Sequence, residues 1–213
     1  ARTALYNYLF ALKEKGDFVL RLEDTDEVRS DEAFTDDILS GLKWLGINWT
    51  EGPDVGGPYK PYRQTEKTDH YEHVANKLIS EGKAYFCYAS PEELDALREE
   101  QKQRDEKPGY DNRGRNYTQE QVEKFVAEGR IPVIRFKVED DRVVSWNDAI
   151  KGEIQIHTSD IGGDMVIVKS SGIAIYNFAV VVDDLDMKMT HIIRGEDHIH
   201  NTAKQILLYE ALG

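Results

Sequence analysis

Three short stretches of the 213-residue sequence place charged or polar side chains where an apolar run begins or ends. The first stretch, residues 20–26, sets Glu23, Asp24 and Asp26 directly after a short apolar run. Carboxylates at the end of a buried strand can hold an amine or a ribose, but they also fit a solvated turn whose side chains bond their own backbone. The residues alone leave both interpretations open.

The second stretch begins with Tyr176 and Asn177 and continues through an apolar run to Asp183 and Asp184. A tyrosine and an asparagine at one end of an apolar strand can line a pocket, and the acid pair can cap a following helix. Packing without a ligand explains the same pattern equally well, so this stretch predicts a pocket only in combination with others.

The third stretch, residues 190–198, crowds Arg194, two acids and two histidines at the end of a short apolar run. An arginine fixed at such a point can bind a carboxylate with both arms of its guanidinium group. The histidines at 191, 198 and 200, taken with Glu196 and Asp197, show no recognised ligand spacing, so no metal site is predicted.

Helical and alternating patterns supply the elements that must position these side chains. Helices are predicted over 1–15, 30–45, 65–81 and 201–212, and helix-start signals stand at Ser90 and Thr118. Strands are predicted over 18–22, 84–88, 133–138, 143–146, 153–157, 165–169, 175–182 and 191–193. Helices that alternate with apolar strands at both ends of the chain imply an α/β fold with a parallel sheet, whose ligands gather at the carboxyl edge.

Composition narrows the class of protein. A net charge of −13 argues against a protein that coats nucleic acid, although the polar loop at 102–115 could form a local basic face or could simply be solvated. No apolar run is long enough to cross a bilayer. The single cysteine, Cys87, excludes an internal disulfide and a cysteine-built zinc site, and is interpreted as a small buried residue in a reducing compartment.

The three stretches, together with Gly-Pro-Tyr-Lys-Pro-Tyr-Arg-Gln at 57–64 and Lys-Gln-Ile-Leu-Leu-Tyr at 204–209, closely resemble the bacterial and organellar glutamyl-tRNA synthetases, nearly end to end. Residues 1–4 resemble the residues directly after that family's His-Val-Gly-Gly form of the ATP motif. The family's mobile lysine loop would come after residue 213. Both ATP-handling motifs are therefore expected outside this chain.

The resemblance implies a class I synthetase catalytic domain: a Rossmann-type parallel sheet, split by a mixed α+β insertion that binds the acceptor end of tRNA. Residues 1–85 would form the first half of the catalytic domain, 86–171 the insertion and 172–213 the second half. The implied reaction joins L-glutamate to ATP as glutamyl adenylate and transfers it to the 3′ end of tRNA(Glu). ATP would enter with Mg²⁺, no zinc is expected, and the protein would be a cytoplasmic monomer.

The resemblance also assigns roles to residues, none of them a proton-transfer group. Arg194 and Tyr176 would contact the carboxylates of glutamate, and Glu23 would take its ammonium group. Asp197, with Glu196 beside it, would contact the adenosine part of ATP. The residues assigned to the tRNA acceptor end are Asp26, Arg29, Arg113 and Arg115.

Three alternatives remain at this stage. A shortened relative glutamylates a modified base in tRNA(Asp), but the long insertion and the lack of a cysteine cluster count against it. A non-catalytic acceptor-stem binding module would differ by failing to form adenylate. A glutaminyl enzyme is disfavoured because residues 21–26 look like the bacterial glutamyl pattern. Whether tRNA(Gln) is also accepted is left open.

Overall fold

The computed structural model describes residues 1–25 and 32–213 and shows a mixture of helices and short strands. The helices are α1 (Arg2–Glu14), α2 (Glu32–Trp44), α3 (Thr68–Ser80), α4 (Pro91–Gln103), α5 (Gln119–Ala127), α6 (Tyr176–Asp186) and α7 (Ile199–Leu212). The strands are β1 (Ala84–Cys87), β2 (Val133–Phe136), β3 (Val143–Asp148), β4 (Gly152–His157) and β5 (Met165–Val168). Short 3-10 helices cover Gln64–Lys67, Arg113–Asn116, Thr158–Ile161 and Glu196–His198.

All paired strands in the described ranges are antiparallel. Strand β2 lies between β1 and β5, and β3 and β4 form a separate hairpin. The segment predicted as a strand at 18–22 forms only two isolated parallel bridges, Val19 to Glu51 and Leu22 to Arg63. The middle of the chain is therefore rich in sheet, as the sequence predicts. Of the predicted parallel sheet, the described residues contain only these two bridges.

The larger hydrophobic core joins α3, the β1-β2-β5 sheet, α6 and α7. Ala75 and Leu78 of α3, Phe178 and Ala179 of α6 and Ala203 of α7 are all fully buried in it. The small side chains of the three alanines let these helices pack closely within one core. The sequence analysis places a boundary between the first half of the catalytic domain and the insertion after residue 85. Strand β1 crosses this boundary and pairs with β2 in the same core.

A smaller core lies under α1 and α2, where Leu42, Ile47 and Trp49 are buried. The Trp49 indole N–H donates to Asp54 Oδ1 at 2.7 Å, and Lys43 Nζ donates to Asp54 Oδ2 at 2.7 Å. Burial works against ionisation of Asp54, but the two donated bonds outweigh it and lower the pKa of this carboxyl. Asp54 thus fastens the loop after residue 52 to this core.

The predicted strand at 175–182 is wrong, because those residues form most of helix α6. Residues Phe178 to Asp184 are all buried, so the run has no polar face that would reveal a period of 3.6 residues, and Val180 to Val182 then look like a strand. The acid pair, expected to cap a following helix, lies in the last turns of α6 itself. Residues 191–193 also form no strand.

Several local predictions are confirmed. Ser90 and Thr118 begin α4 and α5 with complete capping boxes, each side chain accepting from the backbone N–H three residues on. The helix predicted at 65–81 divides into a 3-10 turn and α3. Cys87 is buried, with its Sγ 3.1 Å from the Tyr110 hydroxyl.

In the described ranges no helix is both long and apolar enough to span a membrane.

Candidate functional site

A cavity of about 390 Å³ opens where the extended segment after α1, the start of α6 and the segment before residue 195 meet. Glu23, Tyr176 and Arg194 all line it. These are the three residues that the resemblance assigns to one small ligand, and Glu23 lies more than 150 residues before the other two in the sequence. The structure brings them to one cavity, and their individual roles stay a prediction.

Arg194 is fixed in this cavity by helix α7. Its Nη1 donates to Gln205 Oε1 at 2.7 Å, and its Nη2 donates to Thr202 Oγ1 at 2.6 Å. Gln205 in turn donates to Asn177 Oδ1 at 3.0 Å, which ties the pair to α6. Both partners of Arg194 are neutral, so these bonds orient the guanidinium without neutralising it, and it can attract an anionic ligand.

Tyr176 is the first residue of α6, and its ring lies half-buried at the cavity wall. Burial raises the pKa of its phenol, the charge of Glu23 raises it further, and Arg194 works in the opposite direction. The hydroxyl group therefore stays protonated near neutral pH and can donate a hydrogen bond. Glu23 and Arg194 line the same cavity as this hydroxyl group.

Glu23 follows the bridge between Leu22 and Arg63 and leaves 37% of its side chain exposed. Its Oε1 accepts from Arg21 Nη2 at 3.1 Å. A carboxylate that is anchored on one side and open on the other can accept hydrogen bonds from a ligand ammonium group. The cavity thus combines a fixed cation, a phenol donor and a carboxylate.

Behind these residues lies a buried ionic network that sequence reasoning missed. Asp183 is fully buried and accepts from Gln64 Nε2 at 2.9 Å, from Lys67 Nζ at 2.5 Å and from the Tyr71 hydroxyl at 2.9 Å. Arg21 Nη1 donates to the neighbouring Asp184 at 2.8 Å. The available signal was the position of Arg21, a charged residue between two apolar residues of a predicted buried strand, which requires a partner inside the protein.

The two acids assigned to ATP lie on the surface, two and three residues beyond Arg194. Glu196 and Asp197 start the 3-10 helix before α7, and their side chains are 71% and 81% exposed. Glu196 contacts Lys151, in the turn between β3 and β4. Asp197 Oδ2 is 3.6 Å from His198 Nε2. Both acids remain accessible to a ligand approaching from outside.

The residues assigned to tRNA are placed differently from one another. Arg113 makes a two-armed pair with Asp111 on the surface. Arg115 points inward, donating from Nε and Nη2 to both oxygens of the buried Asp164 and from Nη2 also to the Val138 carbonyl oxygen. Arg115 thus has a structural role, because it connects residues 138 and 164 of the region between α5 and α6. Asp26 and Arg29 lie outside the described residues.

No group of three or more His, Cys, Asp or Glu side chains is arranged to hold a metal ion in the ranges 1–25 and 32–213. His198 and His191 instead lie against aromatic rings, at centroid distances of 6.2 Å from Tyr176 and 4.7 Å from Phe10.

Comparison with known proteins places the chain in a family. Residues 1–213 match the family described as "tRNA synthetases class I (E and Q), catalytic domain", and the chain belongs to this family. The resemblance inferred from the sequence motifs is thereby confirmed. The α/β arrangement of the chain is accordingly that of a class I synthetase catalytic domain.

Individual relatives of the chain carry a more specific name. Glutamate–tRNA ligase 2 of Caldanaerobacter subterraneus subsp. tengcongensis is 58% identical over 212 residues, which is 100% of this chain and 44% of that protein. Glutamate–tRNA ligase of Bacillus subtilis is 54% identical over 213 residues, with the same two coverages. The crystal structure of a glutamate tRNA ligase from Elizabethkingia meningosepticum in complex with its amino acid has a TM-score of 0.91 at 42% identity, covering 100% of this chain and 43% of that one. The chain therefore spans less than half the length of these relatives.

Proposed function

We propose that this chain is the interior of the catalytic region of a glutamate–tRNA ligase, which activates L-glutamate with ATP as glutamyl adenylate and transfers it to the 3′ end of tRNA(Glu). The observation that carries the proposal is the meeting of Glu23, Tyr176 and Arg194 in one cavity. The names of relatives that are more than half identical to the chain support it.

The chemistry of the cavity matches an α-amino dicarboxylate. Arg194 and the protonated phenol of Tyr176 would bind the two carboxylates, and Glu23 would bind the ammonium group. Attack of a carboxylate on the α-phosphate of ATP needs little covalent help from protein, because positioning and positive charge on the phosphates supply most of the acceleration. The part of the reaction assigned to this chain is thus to hold the amino acid in place.

Asp197 and Glu196 would meet the adenosine part of the Mg²⁺–ATP substrate. Both carboxylates are exposed and lie two and three residues after Arg194 in the sequence. This position supports the binding of a nucleotide next to the amino acid. Proton transfer is not required of either group.

The finer architecture belongs to the same proposal. The parallel bridges at Val19 and Leu22 support a Rossmann-type sheet in the complete protein, interrupted by the insertion at 86–171. That insertion would bind the acceptor end of tRNA, with Arg113 on its surface and Arg115 bracing it. Asp26 and Arg29 would face the same tRNA. We propose a monomer that works in the cytoplasm.

Glutamate-dependent exchange between pyrophosphate and ATP tests the proposal. The complete protein that carries this sequence should show exchange that depends on glutamate. If the complete protein depends on an amino acid other than glutamate, the proposed substrate is wrong.

Substitution of Arg194 by Lys ties the exchange activity to the cavity. Lysine keeps the charge but has a single terminal nitrogen, which cannot replace the separate Nη1 and Nη2 bonds to Gln205 and Thr202 and still point at a carboxylate. The KM for glutamate should therefore rise about tenfold or more, while the KM for ATP changes little. Arg142, which pairs with Glu210 on the surface, provides the matched control. Its substitution by Lys should leave both constants unchanged.

A further inference from the structure

Arg21 connects the acid of the cavity to helix α6. Its Nη2 donates to Glu23 Oε1 at 3.1 Å, and its Nη1 donates to Asp184 Oδ1 at 2.8 Å. Only 14% of its side chain is exposed. One guanidinium therefore spans the residue assigned to the ligand ammonium group and the helix that begins with Tyr176.

Asp184 is itself fixed from the other side. Its Oδ2 accepts from the Tyr209 hydroxyl of α7 at 2.8 Å, so both carboxylate oxygens are engaged. Burial by itself would lower the pKa of Arg21, but the charges of Asp184, Glu23 and Asp183 outweigh burial and raise it above the ordinary value. Arg21, Asp184 and Tyr209 therefore form a continuous hydrogen-bonded network.

We propose that Arg21 is a positioning residue for amino-acid recognition: it holds Glu23 in the rotamer that faces the substrate ammonium group, and Asp184 and Tyr209 hold Arg21. The inference rests on the proposed function of the cavity and deepens it. Glu23 lies on a segment with isolated bridges and is partly exposed, so its side chain would otherwise sample several rotamers. A forked guanidinium can fix two carboxylates relative to each other, whereas lysine offers only a point charge.

A direct role is the competing explanation, because Arg21 also lines the cavity and a substrate carboxylate could reach it. The two roles differ in which ligand group they serve. A positioning role through Glu23 affects only ligands that carry an ammonium group. A direct role affects every dicarboxylate, including glutarate, which is glutamate without its amino group.

The test uses pyrophosphate exchange by the complete protein, with the KM for glutamate, the KM for ATP and the inhibition constant of glutarate as readouts. Arg21→Lys should raise the KM for glutamate about tenfold or more, while the other two constants stay within about twofold. Tyr209→Phe, which removes one bond from Asp184, should act in the same direction but more weakly. Arg142→Lys is the matched arginine control and should change none of the three.

A double substitution shows whether Arg21 acts through Glu23. In a Glu23→Gln background, Arg21→Lys should have little further effect on the KM for glutamate, because the group that it positions has already lost its charge. Effects that add in full, or an equal loss of glutamate and glutarate binding, would overturn the positioning role. If Arg21→Lys does not fold, Tyr209→Phe decides by the same comparison of the two ligands.

The two proposals fail in different ways. If the unsubstituted protein shows no glutamate-dependent exchange, the proposed function is wrong, and the positioning role falls with it. If the unsubstituted protein exchanges normally and Arg21→Lys behaves like Arg142→Lys, only the positioning role is wrong.

Discussion

Replacing Tyr71 by Phe would measure the strength of the buried network beneath the cavity. The Tyr71 side chain is almost completely buried, and its hydroxyl donates toward both oxygens of Asp183, at 2.9 Å each. Burial and the charge of Asp183 raise the pKa of this phenol well above its ordinary value, so it stays a donor at every working pH. Phenylalanine keeps the ring in place and removes only the hydroxyl.

The expected loss depends on the bonds that Asp183 retains. A hydrogen bond to a charged group contributes about 1.5–3 kcal/mol, and Asp183 keeps its bonds from Lys67 and Gln64 after the change. The contact of Lys67 Nζ over the Tyr71 ring, 5.7 Å from its centroid, is also kept. We therefore expect a loss of about 2 kcal/mol, or about 4–8 °C in Tm for a chain of this size.

Thermal unfolding followed by circular dichroism provides the assay, with Tyr6→Phe as the control because Tyr6 is 59% exposed. The control should unfold close to the unsubstituted protein. In an Asp183→Asn background, Tyr71→Phe should cost about 0.5–1.5 kcal/mol, since the bond that is lost is then neutral. If Tyr71→Phe and Tyr6→Phe unfold at the same temperature, the hydroxyl contributes nothing and the reasoning is refuted.

Three further predictions concern elements outside the cavity. Folding lowers the pKa of Asp54, so its contribution to stability is present above the unfolded pKa of about 3.9 and is lost as the pH falls through the folded pKa. The urea midpoints of Asp54→Asn and of the unsubstituted protein should therefore differ at pH 6 and converge in acid. Arg115→Lys, which leaves the buried Asp164 short of donors, should cost about 2 kcal/mol in urea unfolding, and Arg113→Lys, at a more exposed pair, less than about 1 kcal/mol. Ser90→Ala should cost about 1 kcal/mol in the same assay, and no loss would contradict the capping role.

Helices that begin with a capping residue were predictable from the sequence. Ser90 and Thr118 mark helix starts through side-chain bonds to nearby backbone N–H groups, which depend on local sequence alone. Helix α6 was not predictable in the same way, because it is buried on all sides. Its apolar run lacks the polar face that distinguishes a helix from a buried strand.

The meeting of three candidate residues in one cavity could be expected from the sequence, while their roles remain a prediction. Glu23, Tyr176 and Arg194 stand in long motifs, and their meeting in one cavity agrees with the assignment made from those motifs. Gln205 was not singled out, because a glutamine in an apolar helix carries no local sign that it binds Arg194. Likewise, the burial of Asp183 depends on a fold that joins residues more than 100 positions apart, which no local pattern encodes.

Helices α6 and α7 together determine the geometry of the cavity. Helix α6 carries Tyr176 at its start and, through Asp184 near its end, contacts Arg21, which bonds Glu23. Helix α7 holds Arg194 through Gln205. Since both helices share one core, the three side chains that line the cavity are positioned by a single packed unit rather than by the separate segments that carry two of them. Pre-organisation of this kind lowers the entropic cost of binding a small ligand, because the side chains that line the cavity are already held in place before the ligand arrives.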